Sequence, residues 1–246
     1  MFLTNLAVTG AVTVLLVVIT YAIALRRRRL DTIDTFWGLG FAVIAVTSYV
    51  LSGFGNLVIT ALTVLWGVRL AWHIHARNHG RPEDPRYTKI RGNPFYRVYL
   101  LQAVIMWFVS LPVQAGQYWN PGFGLLTWLG VLVWTVGFVF ETVGDRQLAR
   151  YKADPHRPPV LDTGLWRYTR HPNYFGDACV WAGLYLMACS HWIGAATVLS
   201  PVVMILLLVK GSGAPLTERA MADRPGYAEY VSRTSGFVPL PPRKDG

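Results

Sequence analysis

LTNLAVTGAVTVLLVVITYAIALRRRR, residues 3–29, is a long run without a charged side chain that ends in four arginines. A helix needs about 20 mainly apolar residues to cross the hydrocarbon core of a bilayer. The run is too long and too apolar for a usual signal-peptide core, and no small-residue cleavage site follows it. It reads as a membrane span closed by a stop-transfer cluster. Applied to the whole chain, the same test gives seven candidate spans: Leu3–Leu25, Thr35–Gly53, Leu57–His75, Phe95–Ala115, Phe123–Glu141, Tyr174–Cys189 and Trp192–Val209. Composition agrees. Of 246 residues, 53% are hydrophobic and only 15% charged, against roughly 25% charged in an ordinary soluble domain. Mean hydropathy is +0.34, yet the net charge is +10, from 23 Lys+Arg against 13 Asp+Glu. A chain both greasy and basic is neither a soluble globule nor a disordered tail. With no soluble domain to carry a basic surface, no nucleic-acid partner is expected.

The basic residues test the span count. Arg26–Arg29 form one group; Arg77, Arg81, Arg86, Lys89, Arg91 and Arg97 a second; Arg146, Arg150, Lys152, Arg157, Arg167 and Arg170 a third; Lys210, Arg219, Arg224, Arg233, Arg243 and Lys244 a fourth. The alternate connections, around Gly55, Gln117–Gly122 and Ser190–His191, carry none. The positive-inside rule then predicts an all-α, polytopic protein of seven transmembrane helices, with its N-terminus outside and its C-terminus in the cytoplasm. Residues 1–246 are expected to form a single integral membrane domain. Loops 76–95 and 142–173 and the tail 210–246 face the cytoplasm. Any polar site belongs there, since the outer connections hold no acidic residue. Cys179 and Cys189, about 15 Å apart along one helix, are too far apart for a disulfide and read as packing residues.

Polar groups inside spans are costly and point to function by default. Arg69 is the one basic residue outside the four groups. It either snorkels to the interface or lines a polar cavity, and His73, four residues on, shares its helical face. Asp34, at the entrance of the second span, is either a helix N-cap or the acid of a proton-donating site. His75 and His79 have i,i+4 metal-ligand spacing but read better as an interfacial pair, so no metal is expected. Glu141 and Asp145 lie four apart where the fifth span leaves the membrane. They are either a solvated cap or two carboxylates set to accept hydrogen bonds from a ribose or an amide.

The most informative polar segment is DTGLWRYTRHPNYFGDACVWAG, residues 162–183. Pro172 suits a helix start, and the free N–H groups of a first helical turn favour phosphate, a tendency that Arg170 and His171 reinforce. Asn173, Asp177 and Trp181 recur every four residues and so line one face with an amide, a carboxylate and an indole.

GLWRY followed by RHPNYFGD resembles the C-terminal signature of the steroid 5-alpha-reductase-like superfamily, and most closely its bacterial branch of small membrane proteins of unknown function. The likeness also takes in DTFWGLGFA (34–42), LWGVRLAWHI (65–74), NHGRPEDPRY (78–87), FETVGDRQLARYK (140–152) and RPGYAEYVSRTSGFVP (224–239). The resemblance implies NADPH in a cytoplasm-facing cavity. It puts Glu141, Asp145, Asn173, Asp177 and Trp181 on cofactor-contacting positions, together with Tyr168, Tyr174 and Tyr227. Lys152, Arg170, His171, Arg219 and Arg224 are the expected phosphate partners. The steroid enzymes carry Asn where Glu141 stands, and their carbonyl-polarising Glu–Tyr pair has no match in this sequence. Asp34, Arg69 and His73 are therefore the catalytic candidates by location. The RHPxYxG signature is shared with isoprenylcysteine carboxyl methyltransferases, which use S-adenosylmethionine.

The expected function is NADPH-dependent reduction of a carbon–carbon double bond in a lipid, either a steroid-like enone or an unsaturated acyl chain, drawn from the bilayer of a bacterial inner membrane. S-adenosylmethionine-dependent methylation of a lipid or isoprenylcysteine is the alternative, and a non-catalytic membrane scaffold or transporter a third.

Overall fold

A computed structural model of the chain describes residues 1–88, 90–119, 124–211 and 213–243. Lys89, Lys244, Phe123 and part of the Gln117–Gly122 connection, all used above, lie outside the described residues. Among the described residues the regular structure is helical: α1 (Phe2–Arg27), α2 (Thr32–Leu51), α3 (Leu57–Asn78), a short α4 (Pro85–Thr88), a π-helical stretch (Phe95–Leu100) continued by α5 (Leu101–Val109), α6 (Leu111–Tyr118), α7 (Leu125–Ala153), α8 (Pro172–Ala188), α9 (Trp192–Ala195), α10 (Leu199–Val209), α11 (Ala214–Met221) and α12 (Tyr227–Arg233). Six helical segments, Phe2–Arg27, Thr32–Leu51, Leu57–Asn78, Phe95–Tyr118, Leu125–Ala153 and Trp192–Met221, are long and apolar enough to cross a membrane. The remaining expected span, Tyr174–Cys189, corresponds to α8, whose 17 residues rise about 25 Å.

The chain divides into two compact units, the first Met1–Thr127 with Leu184–Ser200, the second Trp128–Gly183 with Pro201–Gly246. Along α1 in the first unit polar residues turn inward and many apolar ones outward. α1 buries Asn5, Thr9, Thr13 and Thr20 and exposes Leu3, Val14, Leu15, Val18 and Ile19. Lipid is as apolar as leucine, so leucines gain nothing by turning inward, while small and hydroxylated residues let helices approach and bond. Asn5 Nδ2 and Thr9 Oγ1 both donate to Gln114 Oε1, at 3.0 and 2.8 Å. Thr13 and Thr20 donate back to the carbonyls of Thr9 and Leu16. Gln117 joins the start of α3, donating to Thr60 Oγ1 and accepting from Asn56 N–H, both at 2.9 Å. α2 and α3 meet at Gly38 and Gly67, where a Cβ on either residue would overlap the other's carbonyl.

In the second unit α7 carries an outward row of Leu129, Leu132, Val136 and Val139 and meets α8 along a glycine seam. Two expected boundaries shift. The loop predicted from residue 142 instead begins after Ala153, because nothing before Pro155 obliges the α7 backbone to stop. The tail predicted from residue 210 folds in part into α11 and α12.

Candidate functional site

α7 and α8 run antiparallel at a separation that excludes side chains. A Cβ on Gly137 would lie 2.5 Å from the Gly176 carbonyl oxygen and 2.6 Å from Val180 N; one on Gly183 would lie 2.6 Å from the Gly130 oxygen. Gly130, Gly137 and Gly144 recur every seven residues, as do Gly176 and Gly183, so each row stays on one face through two turns. Where a Cβ on Gly144 would come within 3.2 Å of Asn173 N, the seam turns polar. Asn173 Nδ2 donates to Asp145 Oδ1 at 3.1 Å. The backbone of Glu141 sits against Gly176, and Glu141, Asp145 and Asp177 are only 3, 5 and 9% exposed. Trp181, a turn beyond Asp177, is fully buried.

Sequence-predicted residues from two helices thus come together: Glu141 and Asp145 on α7, Asn173, Asp177 and Trp181 on α8. Their neighbourhood is under-satisfied. Asn173 Oδ1, Thr142 Oγ1 and Trp134 Nε1 are buried without a hydrogen-bond partner. An unpaired buried polar atom costs about 1–3 kcal/mol. Thr142 and Trp134 were not among the expected site residues, though both lie on α7 within eight residues of Glu141.

Arg170 and His171, the expected phosphate partners, are bonded to the tail. Both meet one carboxylate oxygen of Glu218, Arg170 Nε at 2.9 Å and His171 Nε2 at 3.0 Å. A second Arg170 nitrogen donates to the Val231 carbonyl at 3.2 Å. Burial pushes the His171 pKa below its ordinary value, outweighing the upward pull of Glu218, and the ring stacks on Tyr174, centroids 5.3 Å apart. The tail is pinned further. Tyr230 donates to the Trp166 carbonyl at 2.6 Å, Thr169 to the Phe237 carbonyl at 2.8 Å, and Leu240 N–H to the Tyr168 carbonyl at 3.0 Å. Trp166 in turn donates to the Gly144 carbonyl at 3.1 Å. The tail and the 158–171 loop thereby brace the polar end of the α7–α8 seam. Tyr227 packs with Tyr230 and Val160, while Lys152, Tyr168, Arg219 and Arg224 are exposed.

The first unit holds a separate polar centre. Asp34 sits in the first turn of α2, not at its N-cap, which is Asp31. Tyr87 donates its phenolic proton to Asp34 Oδ1 at 2.5 Å, and Arg86 bonds the other oxygen at 3.2 Å while also holding Asp84 at 2.9 Å. Burial and the Asp34 charge push the Tyr87 pKa up. Burial works against ionisation of Asp84 too, but its bonds to Arg86 hold it below the usual carboxylate range. The segment 78–87 is clamped onto the α1–α2 turn: Arg29 pairs with Asp31 at 2.7 Å and donates to the Arg81 carbonyl at 2.7 Å, and Glu83 accepts from Leu30 N–H. The structure thus brings an acid and a tyrosine together across 53 residues of sequence; Tyr87 and Arg86 were not among the expected catalytic residues. Arg69 and His73 are half-buried on α3 and engaged with neighbouring groups. Among the described residues no three His, Cys, Asp or Glu side chains are gathered as a metal site.

A family profile matches residues 20–234, taking in both polar centres and most of the tail that braces the second. The chain belongs to the family described as Protein of unknown function (DUF1295). DUF1295 stands within the steroid 5-alpha-reductase-like group. A relative, Uncharacterized protein C594.04c of Schizosaccharomyces pombe, is 24% identical over 250 aligned positions, covering 86% of this chain and 68% of that protein. No solved structure matches this DUF1295 chain.

Proposed function

We propose that this DUF1295 protein is a membrane-embedded, NADPH-dependent reductase of a carbon–carbon double bond in a lipid. The observation that carries the reading is the α7–α8 polar end, where Asn173 is bonded to Asp145 and keeps a buried, unpartnered acceptor oxygen beside Glu141 and Asp177. An acceptor flanked by carboxylates suits the hydroxyls of a ribose or the NH2 of a carboxamide, which are the donors NADPH offers. Exposed Lys152, Arg219 and Arg224 are assigned to its phosphates; Arg170 and His171, bonded to Glu218, hold the tail in place. NADPH supplies a hydride when bound.

The chain's own part in the reaction is the proton and the charge. Tyr87, hydrogen-bonded to Asp34 and flanked by Arg86, holds a proton at its phenolic oxygen. A phenol held in this way is the kind of donor that stabilises negative charge developing on a substrate oxygen. Arg69 and His73 are assigned to orient the acceptor group. The topology we infer is seven spans with the N-terminus outside, made of the six long apolar segments and α8; from the charge segregation we assign both polar centres to the cytoplasmic side of a bacterial inner membrane. The outward leucines and valines of α1 and α7 face lipid, from which an apolar substrate enters.

One observation favours a second reading. Three buried carboxylates, Glu141, Asp145 and Asp177, also suit the sulfonium cation of S-adenosylmethionine, which fits a lipid methyltransferase. Binding separates the two. The detergent-purified chain is titrated with NADPH and, separately, with S-adenosylmethionine. The reductase reading expects saturable NADPH binding, weakened at least tenfold by Asn173→Ala through loss of a ligand contact worth about 1.5 kcal/mol. Saturable S-adenosylmethionine binding with none for NADPH overturns it.

A further inference from the structure

The first unit also contains a pocket that the reductase reading does not use. It has a volume of about 230 Å³ and lies among the C-terminal ends of α1 and α3 and the start of α2. Arg27, His75 and His79 line it together with Arg29, Asp31 and Thr35. Its charge is not balanced. Asp31, the one acidic lining residue, takes two bonds from Arg29 at 2.7 and 3.1 Å, so that pair cancels. The remaining Arg29 nitrogen donates to the Arg81 carbonyl, which fixes the wall. Arg27, His75 and His79 are exposed: one permanent cation and two imidazoles, with Thr35 also in the lining. Arg26, Arg28, Arg77 and Arg81, all exposed, surround the pocket in sequence and keep its rim positive.

We propose that this pocket binds a phosphate-bearing anion, its oxygens held by the Arg27 guanidinium and the His75 and His79 ring N–H groups. A rigid, charge-cancelled wall with a free guanidinium beside it is preorganised for a tetrahedral oxyanion. The place in the chain, where the stop-transfer arginines meet the end of α3, is where a span emerges among lipid headgroups. Two sources offer the same chemistry, an anionic phospholipid headgroup and free phosphate.

The test uses the full chain in detergent, incubated with phosphatidylglycerol or phosphatidylcholine, with retained lipid read by native mass spectrometry. The expected result is selective retention of phosphatidylglycerol. Arg27→Ala should reduce it about fivefold, the weight of one arginine at an anionic surface. His79→Ala should also reduce it, and Arg150→Ala, an exposed arginine of the second unit, should change it little. Failure of millimolar inorganic phosphate to compete assigns the site to the lipid headgroup; competition by phosphate, lost in Arg27→Ala, assigns it to the free anion. Equal retention of both lipids with no phosphate binding overturns the proposal, as does an Arg27→Ala chain that keeps its thermal transition and behaves as Arg150→Ala does. Neither outcome bears on NADPH binding, so this site and the reductase reading fail separately.

Discussion

Gly137→Ala puts the α7–α8 seam to the test. The added methyl would stand 2.5 Å from the Gly176 carbonyl oxygen, 2.6 Å from Val180 N and 2.7 Å from Cys179 Cβ, where ordinary contact begins near 3.4 Å. The first two are backbone atoms, so no rotamer change relieves the clash and α8 must retreat by about 0.9 Å. Overpacking of this kind costs about 1–3 kcal/mol. The retreat also stretches the 3.1 Å Asn173–Asp145 bond, a bond to a charged group worth about 1.5–3 kcal/mol. A combined loss of about 3 kcal/mol lowers Tm by about 6–12 °C for a chain of this size. Thermal unfolding in detergent, followed by tryptophan fluorescence, reads the stability, and NADPH titration reads the site; both should fall together. Gly124→Ala, whose methyl meets nothing within 4 Å, is the matched control and should be neutral. A Gly137→Ala chain that melts within about 1 °C of the wild type and binds NADPH equally would refute the close-packed seam as the support of the site.

Tyr87→Phe removes the proton held against Asp34 and should cut the reduction rate at least tenfold while leaving NADPH affinity unchanged, from loss of a charge-stabilising bond worth about 1.5–3 kcal/mol. Equal losses in rate and affinity would show a structural role instead. Glu218→Ala frees Arg170 and His171 and should speed tryptic cleavage at Arg219 and Arg233 several-fold, as mass spectrometry of the fragments would show. His171 supplies a pH dependence. Its folded pKa lies below the ordinary 6.5, so the unfolded chain takes up its proton first and stability is lost as pH falls below about 6.5. The protection factors of residues 214–240 in hydrogen exchange, each rate taken relative to the intrinsic rate at that pH, should fall between pH 7 and 5 in the wild type, and less in His171→Asn.

Much of the fold is legible in the residues because lipid imposes simple demands. Long uncharged runs must be helices, and arginines gather where helices emerge, as at Arg26–Arg29. The α8 face of Asn173, Asp177 and Trp181 follows from a spacing of four, and Glu141 and Asp145 reach it because the glycine rows fix the helix register. The seven-residue recurrence of Gly130, Gly137 and Gly144 is visible in the sequence; that it meets Gly176 and Gly183 is not. The pairings that escape sequence reading are tertiary. Asp34 and Tyr87 lie 53 residues apart and meet because the 78–87 segment folds back onto the α1–α2 turn. Arg170 and His171 look like an anion site when only the helix start is considered. A half-buried cation recruits the carboxylate within reach, however, and Glu218 from the tail takes that place.

The central claim is that NADPH binds at the polar end of α7 and α8. Hydrogen–deuterium exchange of the full detergent-solubilised chain, with and without saturating NADPH, tests it directly. Protection concentrated in residues 141–147 and 171–178, and absent from Asn173→Ala, is the predicted result. No protection in those segments with NADPH, or protection there by S-adenosylmethionine alone, would contradict it.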